Sequence, residues 1–198
     1  MKERPILFNA AMVNAILNGS KTQTRRIINP QPYQSEFEPS ILHFNGLTKK
    51  RQVINGKVIP KGEYWSGSST VESYAKACPF GYAGDQLWVR ETFSAMGDET
   101  RHAVPIFYRA DRPNDNGGWT PSIHMPRWAS RIQLEITNVG VEHLQSITFS
   151  DAVAEGVIYE KGYTDPRHAY KWLWESINGE GSWDANPWVW VIEFEVLK

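Results

Sequence analysis

One cysteine, Cys78, stands in a chain of 198 residues, so no disulfide can close within it. Cys and His are nowhere clustered at metal-ligand spacing, so the expectation is no metal and no other cofactor. A reducing, cytoplasmic location fits this usage. Long apolar runs are missing as well: the stretch after Met1-Lys2-Glu3-Arg4-Pro5 is too short for a signal peptide, and no segment approaches bilayer-spanning length. Secretion and membrane insertion are not expected. Net charge is nearly absent too, at −1, which by itself gives no support to nucleic-acid binding.

The charge is unevenly spread, however. Residues 1–61 hold ten Lys/Arg against three Asp/Glu, and residues 62–198 hold eleven against nineteen. The first portion can attract a phosphate backbone although the whole cannot; an unevenly charged, solvated surface is the plainer reading. Hydrophobic residues at 41% and charged ones at 22% describe an ordinary globular chain, long enough for one domain (1–198) with a sizeable core. Nine Trp are unusual, because an indole offers a large flat surface with one polar handle and suits both cores and ring-stacking sites.

Ile6-Leu7-Phe8 reads as a short strand. Asn9 then caps a helix over about Ala10 to Asn18, whose apolar side carries Met12, Val13, Ile16 and Leu17 and which closes at Gly19. Ser20 to Arg26 alternates as an extended segment that Pro30 and Pro32 end. Residues 33–83 show weak periodicity apart from a hairpin pattern around Asn55-Gly56. Gly84-Asp85 turns into Gln86–Phe93, and another strand is expected at Val104 to Arg109. Arg131 to Val141 alternates as a half-buried strand. Thr148 or Ser150 caps a short helix through Ala154, closing at Gly156. A longer helix starts at Asp165-Pro166 and carries Ala169, Trp172, Leu173 and Ile177, and a last strand places Trp188, Trp190, Ile192, Phe194 and Val196 on one face. Strands mixed with three helices, without regular βαβ alternation, point to an α+β fold with a curved or closed sheet.

Four groups of residues can carry chemistry. In Gly19 to Arg26, a Thr hydroxyl becomes a nucleophile only when a base takes its proton, and Lys21 is such a base only if burial or the nearby Arg25 and Arg26 lower its pKa. The two guanidiniums equally match phosphate, and a polar edge strand is the plain alternative. Trp88, Arg90 and Glu91 form the second group: Trp88 and Arg90 on one strand face can hold a base by stacking and cation–π contact, or simply pack over an ion pair. The third, Ser122 to Arg131, gathers His124, Arg127, Trp128, Ser130 and Arg131 before a strand and suits ligand binding, against a reading in which Trp128 plugs the barrel end and the arginines form ion pairs. Glu155, at a helix end beside Gly156, is a general acid/base candidate or a surface glutamate.

Taken together these segments resemble the ASCH family of the PUA-like superfamily. The resemblance rests on the helix ending in Gly19-Ser20-Lys21-Thr22-Gln23-Thr24-Arg25, the Gly84-Asp85 turn, the helix containing Ala152 to Gly156 and the strand Val189 to Phe194. The segments Lys-Thr-Gln-Thr-Arg-Arg, Leu-Trp-Val-Arg-Glu and Pro-Ser-Ile-His-Met-Pro-Arg-Trp-Ala-Ser-Arg look like a phage- and prophage-encoded branch. It implies a PUA-like curved β-barrel with flanking helices, with insertions at about 33–80 and 95–118. A bacterial N4-acetylcytidine amidohydrolase of this family is similar in its Gly-x-Lys-Thr-x-Thr segment. By that resemblance Lys21, Thr24 and Glu155 would be catalytic, as base, nucleophile and proton relay, acting on an N-acylated pyrimidine nucleoside. Arg25, Arg26, Trp88, Arg90, Glu91, His124, Arg127, Trp128, Ser130 and Arg131 are the candidate binding residues. The partners expected are a modified nucleoside, RNA or DNA; a binding module without catalysis and a ribonuclease are the alternatives. Whether Glu91 or Glu155 lies beside Lys21 is left open by spacing alone.

Overall fold

The computed structural model describes residues 1–34, 41–43, 52–54, 57–59, 65–66, 78–95, 105–159 and 165–197, with side chains in 1–32, 78–95, 105–159 and 165–197. Its order is β1 (Glu3–Leu7), α1 (Ala10–Leu17), β2 (Gln23–Ile27), β3 (Tyr33–Gln34), β4 (Ile41–His43), β5 (Gln52–Ile54), β6 (Lys57–Ile59), β7 (Trp65–Ser66), β8 (Gln86–Arg90), β9 (Phe93–Ala95), β10 (Ile106–Tyr108), β11 (Gln133–His143), α2 (Phe149–Ala154), α3 (Pro166–Asn178) and β12 (Trp188–Val196). Strands and helices are mixed without βαβ alternation, which is the α+β class expected.

The main sheet runs β1-β8-β11-β12-β2, with β1 parallel to β8 and the other neighbours antiparallel. The expectation of a closed barrel is not met by the described backbone ladder, which leaves β1 and β2 as edges. A side chain spans those edges instead: Arg26 Nη2 on β2 donates to the Leu7 carbonyl at the end of β1, at 2.5 Å. The hairpin pattern at 52–59 forms as β5 paired antiparallel with β6. The rest of the proposed insertion at 33–80 lies largely outside the described residues, as do residues 96–104 of the one at 95–118.

The caps follow the local chemistry. Asn9 Oδ1 accepts from Met12 N at the start of α1, and Gly19 after its end has φ +78°, a left-handed conformation that glycine adopts freely. Thr148 and Asp151 form a reciprocal capping box on α2. Asp165 caps α3 by accepting from Arg167 N, with Pro166 in the first turn.

Of two expected apolar faces, that of the last strand forms, apart from exposed Val196, and that of the long helix is corrected. The last strand buries both of its faces: Trp190, Ile192 and Phe194 join Val13 and Ile16 of α1 with Leu87, Val89, Leu134 and Ile136. Val189 and Val191 pack on the other side with Ala152, Tyr170 and Trp174. β12 is thus a layer between α1 and the α2/α3 pair, and a strand covered on both sides reads as a continuous apolar run rather than an alternating one. On α3 the inward residues are Tyr170 and Trp174, one turn apart, whereas Trp172 is 78% and Ile177 50% exposed. Aromatic bulk at positions i and i+4 sets the helix's rotation here, not the count of apolar residues along it.

Ile192 is fully buried at the centre of β12. Ile192→Ala should lower unfolding free energy by about 2–5 kcal/mol in a denaturant titration, and a loss near zero would contradict its place in the core.

Candidate functional site

Lys21 follows the turn that ends α1 and is held there by its own backbone. Its N–H donates to Ala15 O at 2.9 Å, and the next N–H, of Thr22, donates to Ala154 O of α2 at 2.9 Å. Lys21 and Glu155 form an isolated antiparallel bridge, so the start of β2 is stitched to the end of α2. Gly156 makes this approach possible. Its φ is +75°, and a Cβ there would stand 2.7 Å from Lys21 Cβ and 2.8 Å from Ala15 Cβ, closer than carbon atoms tolerate.

The Lys21 side chain is fully enclosed, and its Nζ has three acceptors at 2.8 Å each: Glu155 Oε2, the Glu155 carbonyl and the Gln23 carbonyl. Three acceptors match the three N–H bonds of an ammonium, so the resting pair is Lys21 cation and Glu155 anion. Burial nevertheless pulls the Lys21 pKa below its ordinary 10.5, with the neighbouring Arg26 and Arg25 adding to the fall and Glu155 opposing it. The two influences compete across one short hydrogen bond.

Arg25 is 4% exposed and holds Glu155 from the other side. Its Nη1 lies 3.2 Å from Glu155 Oε1, while Nη2 reaches Glu142 at 2.6 Å and Asp151 at 3.3 Å. A guanidinium shared among three carboxylates is committed to orienting them. Burial and the nearby Glu155 carboxylate raise the Tyr170 hydroxyl well above its ordinary 10.0, so Tyr170 stays a neutral donor.

Two hollows meet at Glu155. A small one of about 80 Å³ lies between β2 and α3, lined by Thr24, Arg25, Arg26, Glu155, Tyr170 and Trp174 together with Met12, Ile27, Leu173, Ile177 and Asn178. A larger one of about 420 Å³ lies between α1, the end of α2 and α3, bounded by Met12, Asn14, Ser20, Glu155, Gly156 and Leu173 among others. Met12, Glu155 and Leu173 line both.

The structure joins Lys21, Arg25 and Glu155 in one ion-pair network and places Thr24, Arg25, Arg26 and Glu155 around the small hollow, which Lys21 itself does not line; it is Glu155, not Glu91, that pairs with Lys21. The remaining candidates gather elsewhere, around β8 and the loop before β11, and none lines either hollow. Glu91 is 2% exposed and held by Arg131, which also pairs with Asp111 and lies 4.0 Å from the Tyr108 ring centroid. Ser130 Oγ donates to Val89 O, and Arg90 donates to the carbonyls of Ile123 and Met125. Arg127 pairs with Glu3 and, like Arg90, lies over the Trp88 ring. Trp128 and His124 are exposed. Sequence reasoning missed Tyr170, Trp174, Glu142 and Asp151. Only the aromatic pair left a usable trace, as a one-turn repeat on α3.

Among the described residues, no His, Cys, Asp and Glu group is placed to hold a metal ion, and no helix is long and apolar enough to cross a membrane. No protein-family model and no curated protein sequence matches the chain. Among solved structures, it is similar to an ASCH domain from Lactobacillus crispatus JV V101, at 12% identity and a TM-score of 0.41, covering 98% of this chain and 79% of that one.

Removing one member of the buried pair strands the other. Glu155→Leu should cost about 3–5 kcal/mol of stability, and Lys21→Met in the same chain should restore most of it, because the two together replace an ion pair with apolar volume. Additive losses in the double variant, measured by denaturant unfolding, would show that the two charges do not depend on each other.

Proposed function

We propose that this chain is an ASCH-type protein of the PUA-like superfamily, a single domain over residues 1–198 whose sheet is an opened form of the barrel. We infer that its Lys21–Thr24–Glu155 site hydrolyses the acyl–nitrogen bond of a small ligand, an N-acylated pyrimidine nucleoside such as N4-acetylcytidine being the substrate class. The observation that carries this reading is the fully buried Lys21–Glu155 pair beneath a hollow that Thr24 and Glu155 both line.

A stability role alone accounts poorly for such a pair, since apolar residues of the same volume fold as well or better. As chemistry it is economical. Release of the Nζ proton, which burial favours, leaves a neutral amine oriented by Glu155; that amine takes the Thr24 hydroxyl proton as the oxygen attacks the acyl carbon and returns it to the amine of the ligand, which leaves. Water then attacks the acyl–Thr24 ester, releasing a carboxylic acid and restoring the hydroxyl. Arg25 acts as a positioning residue, fixing the rotamer of Glu155.

The test is incubation of the purified chain with N4-acetylcytidine and related N-acylated nucleosides, following products by chromatography. Turnover should fall by about 10²-fold or more in Lys21→Ala and Thr24→Ala. Absence of turnover across the panel removes the hydrolytic reading. Steeply salt-dependent RNA binding in its place would support a second reading, in which Arg90 and Arg127 stacked over Trp88, beside exposed Trp128, form a nucleic-acid surface.

The pH dependence follows from the Lys21 shift. A lysine whose pKa is pulled below 10.5 by burial releases its proton at lower pH than a free one, so the rate should rise with pH up to that lowered pKa and level above it. A rate that falls across the same interval would exclude Lys21 as the base.

A further inference from the structure

The small hollow beside Thr24, at about 80 Å³, has room for a handful of water molecules and not for the ring and sugar of a nucleoside. The larger hollow, at about 420 Å³, has the size of an ordinary small-molecule site and shares Met12, Glu155 and Leu173 with the small one. Ala11 and Ala15 of α1 line one side of it, and Ala169 and Leu173 of α3 another. Two amides on α1 and at its end also line it, and each is half committed. Asn14 Nδ2 donates to the Ala110 carbonyl at 3.2 Å, which leaves Asn14 Oδ1 as an acceptor. Asn18 Oδ1 accepts from Ser20 N at 3.0 Å and from Ser20 Oγ at 2.7 Å, which leaves Asn18 Nδ2 as a donor. One acceptor and one donor thus stand a single helical turn apart. Charge narrows the ligand further. Among the described residues no Lys, Arg or His lines this hollow, and the carboxylate of Glu155 is already matched by Lys21 and Arg25.

We propose that the larger hollow seats an uncharged heterocycle, whose paired N–H and acceptor edge is read by Asn14 Oδ1 and Asn18 Nδ2. The apolar walls suit the faces of a flat ring, and the two amides suit its edge. A phosphate carried into the hollow would lose water without gaining a cation, so a ligand bearing one is disfavoured. Resting on the hydrolytic reading, the ring is the pyrimidine of the substrate. Its exocyclic N–H then meets Asn14 Oδ1, and its ring nitrogen or carbonyl meets Asn18 Nδ2. The site selects the free nucleoside over the nucleotide, and Asn14 and Asn18 are its specificity-determining residues.

The site is tested without turnover, by calorimetric titration of the full chain with cytidine and with cytidine 5′-monophosphate at constant ionic strength. Cytidine should bind saturably and the monophosphate about tenfold or more weakly. Asn18→Asp keeps the acceptor that Ser20 uses and replaces the amide donor with a carboxylate oxygen; it should weaken cytidine about tenfold, the effect of one lost hydrogen bond with an acceptor left unpaired. Ala169→Leu fills the hollow from the α3 side and should abolish binding. If one variant fails to fold, the other carries the test. No saturable binding of cytidine, or an affinity unchanged in the folded variants, overturns the proposal. Monophosphate binding as tight as cytidine overturns the assignment to an uncharged ligand. Cytidine binding that the variants weaken, in a chain that deacylates no N-acyl nucleoside, sustains the site and sinks the hydrolase. Turnover of N4-acetylcytidine with the same KM in both variants does the reverse.

Discussion

An ammonium group with no access to water is the constraint around which the surrounding structure is arranged. Lys21 could not remain enclosed without Glu155, and Glu155 could not face it without the backbone of α2 ending where it does. Gly156 is the only residue type that lets the chain turn away at φ +75° while passing 2.7 Å from where its Cβ would strike Lys21. The turn at Gly19, the capping box at Thr148 and the backbone bond from Thr22 to Ala154 are the local devices that bring these two chain segments into register. Each is modest in energy; together they position a charge pair that would otherwise be a liability.

The same pair connects stability to chemistry. Burial strengthens the attraction between the two charges and also weakens the hold of Lys21 on its proton, so one environment both fixes the geometry and favours the uncharged amine. Arg25 supplies the counterweight. By binding Glu155, Glu142 and Asp151 it spreads positive charge along the carboxylates and keeps Glu155 Oε2 free for Lys21. Arg26, the next residue, lines the same hollow but donates from Nη2 to the Leu7 carbonyl and lies over the Phe8 ring. Two adjacent arginines therefore have different occupations, one held by carboxylates and one by a backbone carbonyl.

The loop before β11 illustrates the converse. Ser122 to Arg131 looks functional by composition, yet most of its polar groups hold the protein together: Arg131 pairs with Glu91 and Asp111, Arg127 with Glu3, and Ser130 with the β8 backbone. Trp128 at 56% exposure is left over as an open surface. A dense cluster of polar residue types is what either a binding loop or an ion-pair network needs, and composition does not tell them apart.

Residues near one another along the chain were sufficient to define much of the local structure. The Asn9 cap, the Gly19 stop, the Thr148 and Asp165 caps and the long alternating strand at β11 all arise from interactions within a few residues, and such interactions are legible without coordinates. Lys21 and Thr24 were recognisable for the same reason, as residues of one short motif. Partners distant in sequence were not. Choosing Glu155 over Glu91, the rotation of α3 that turns Tyr170 and Trp174 inward, the burial of β12 on both faces and the open edge between β1 and β2 depend on packing between segments more than a hundred residues apart or across whole layers. Those contacts are decided by how volumes and charges fit together in three dimensions, and no local pattern encodes which distant side chain will complete the fit.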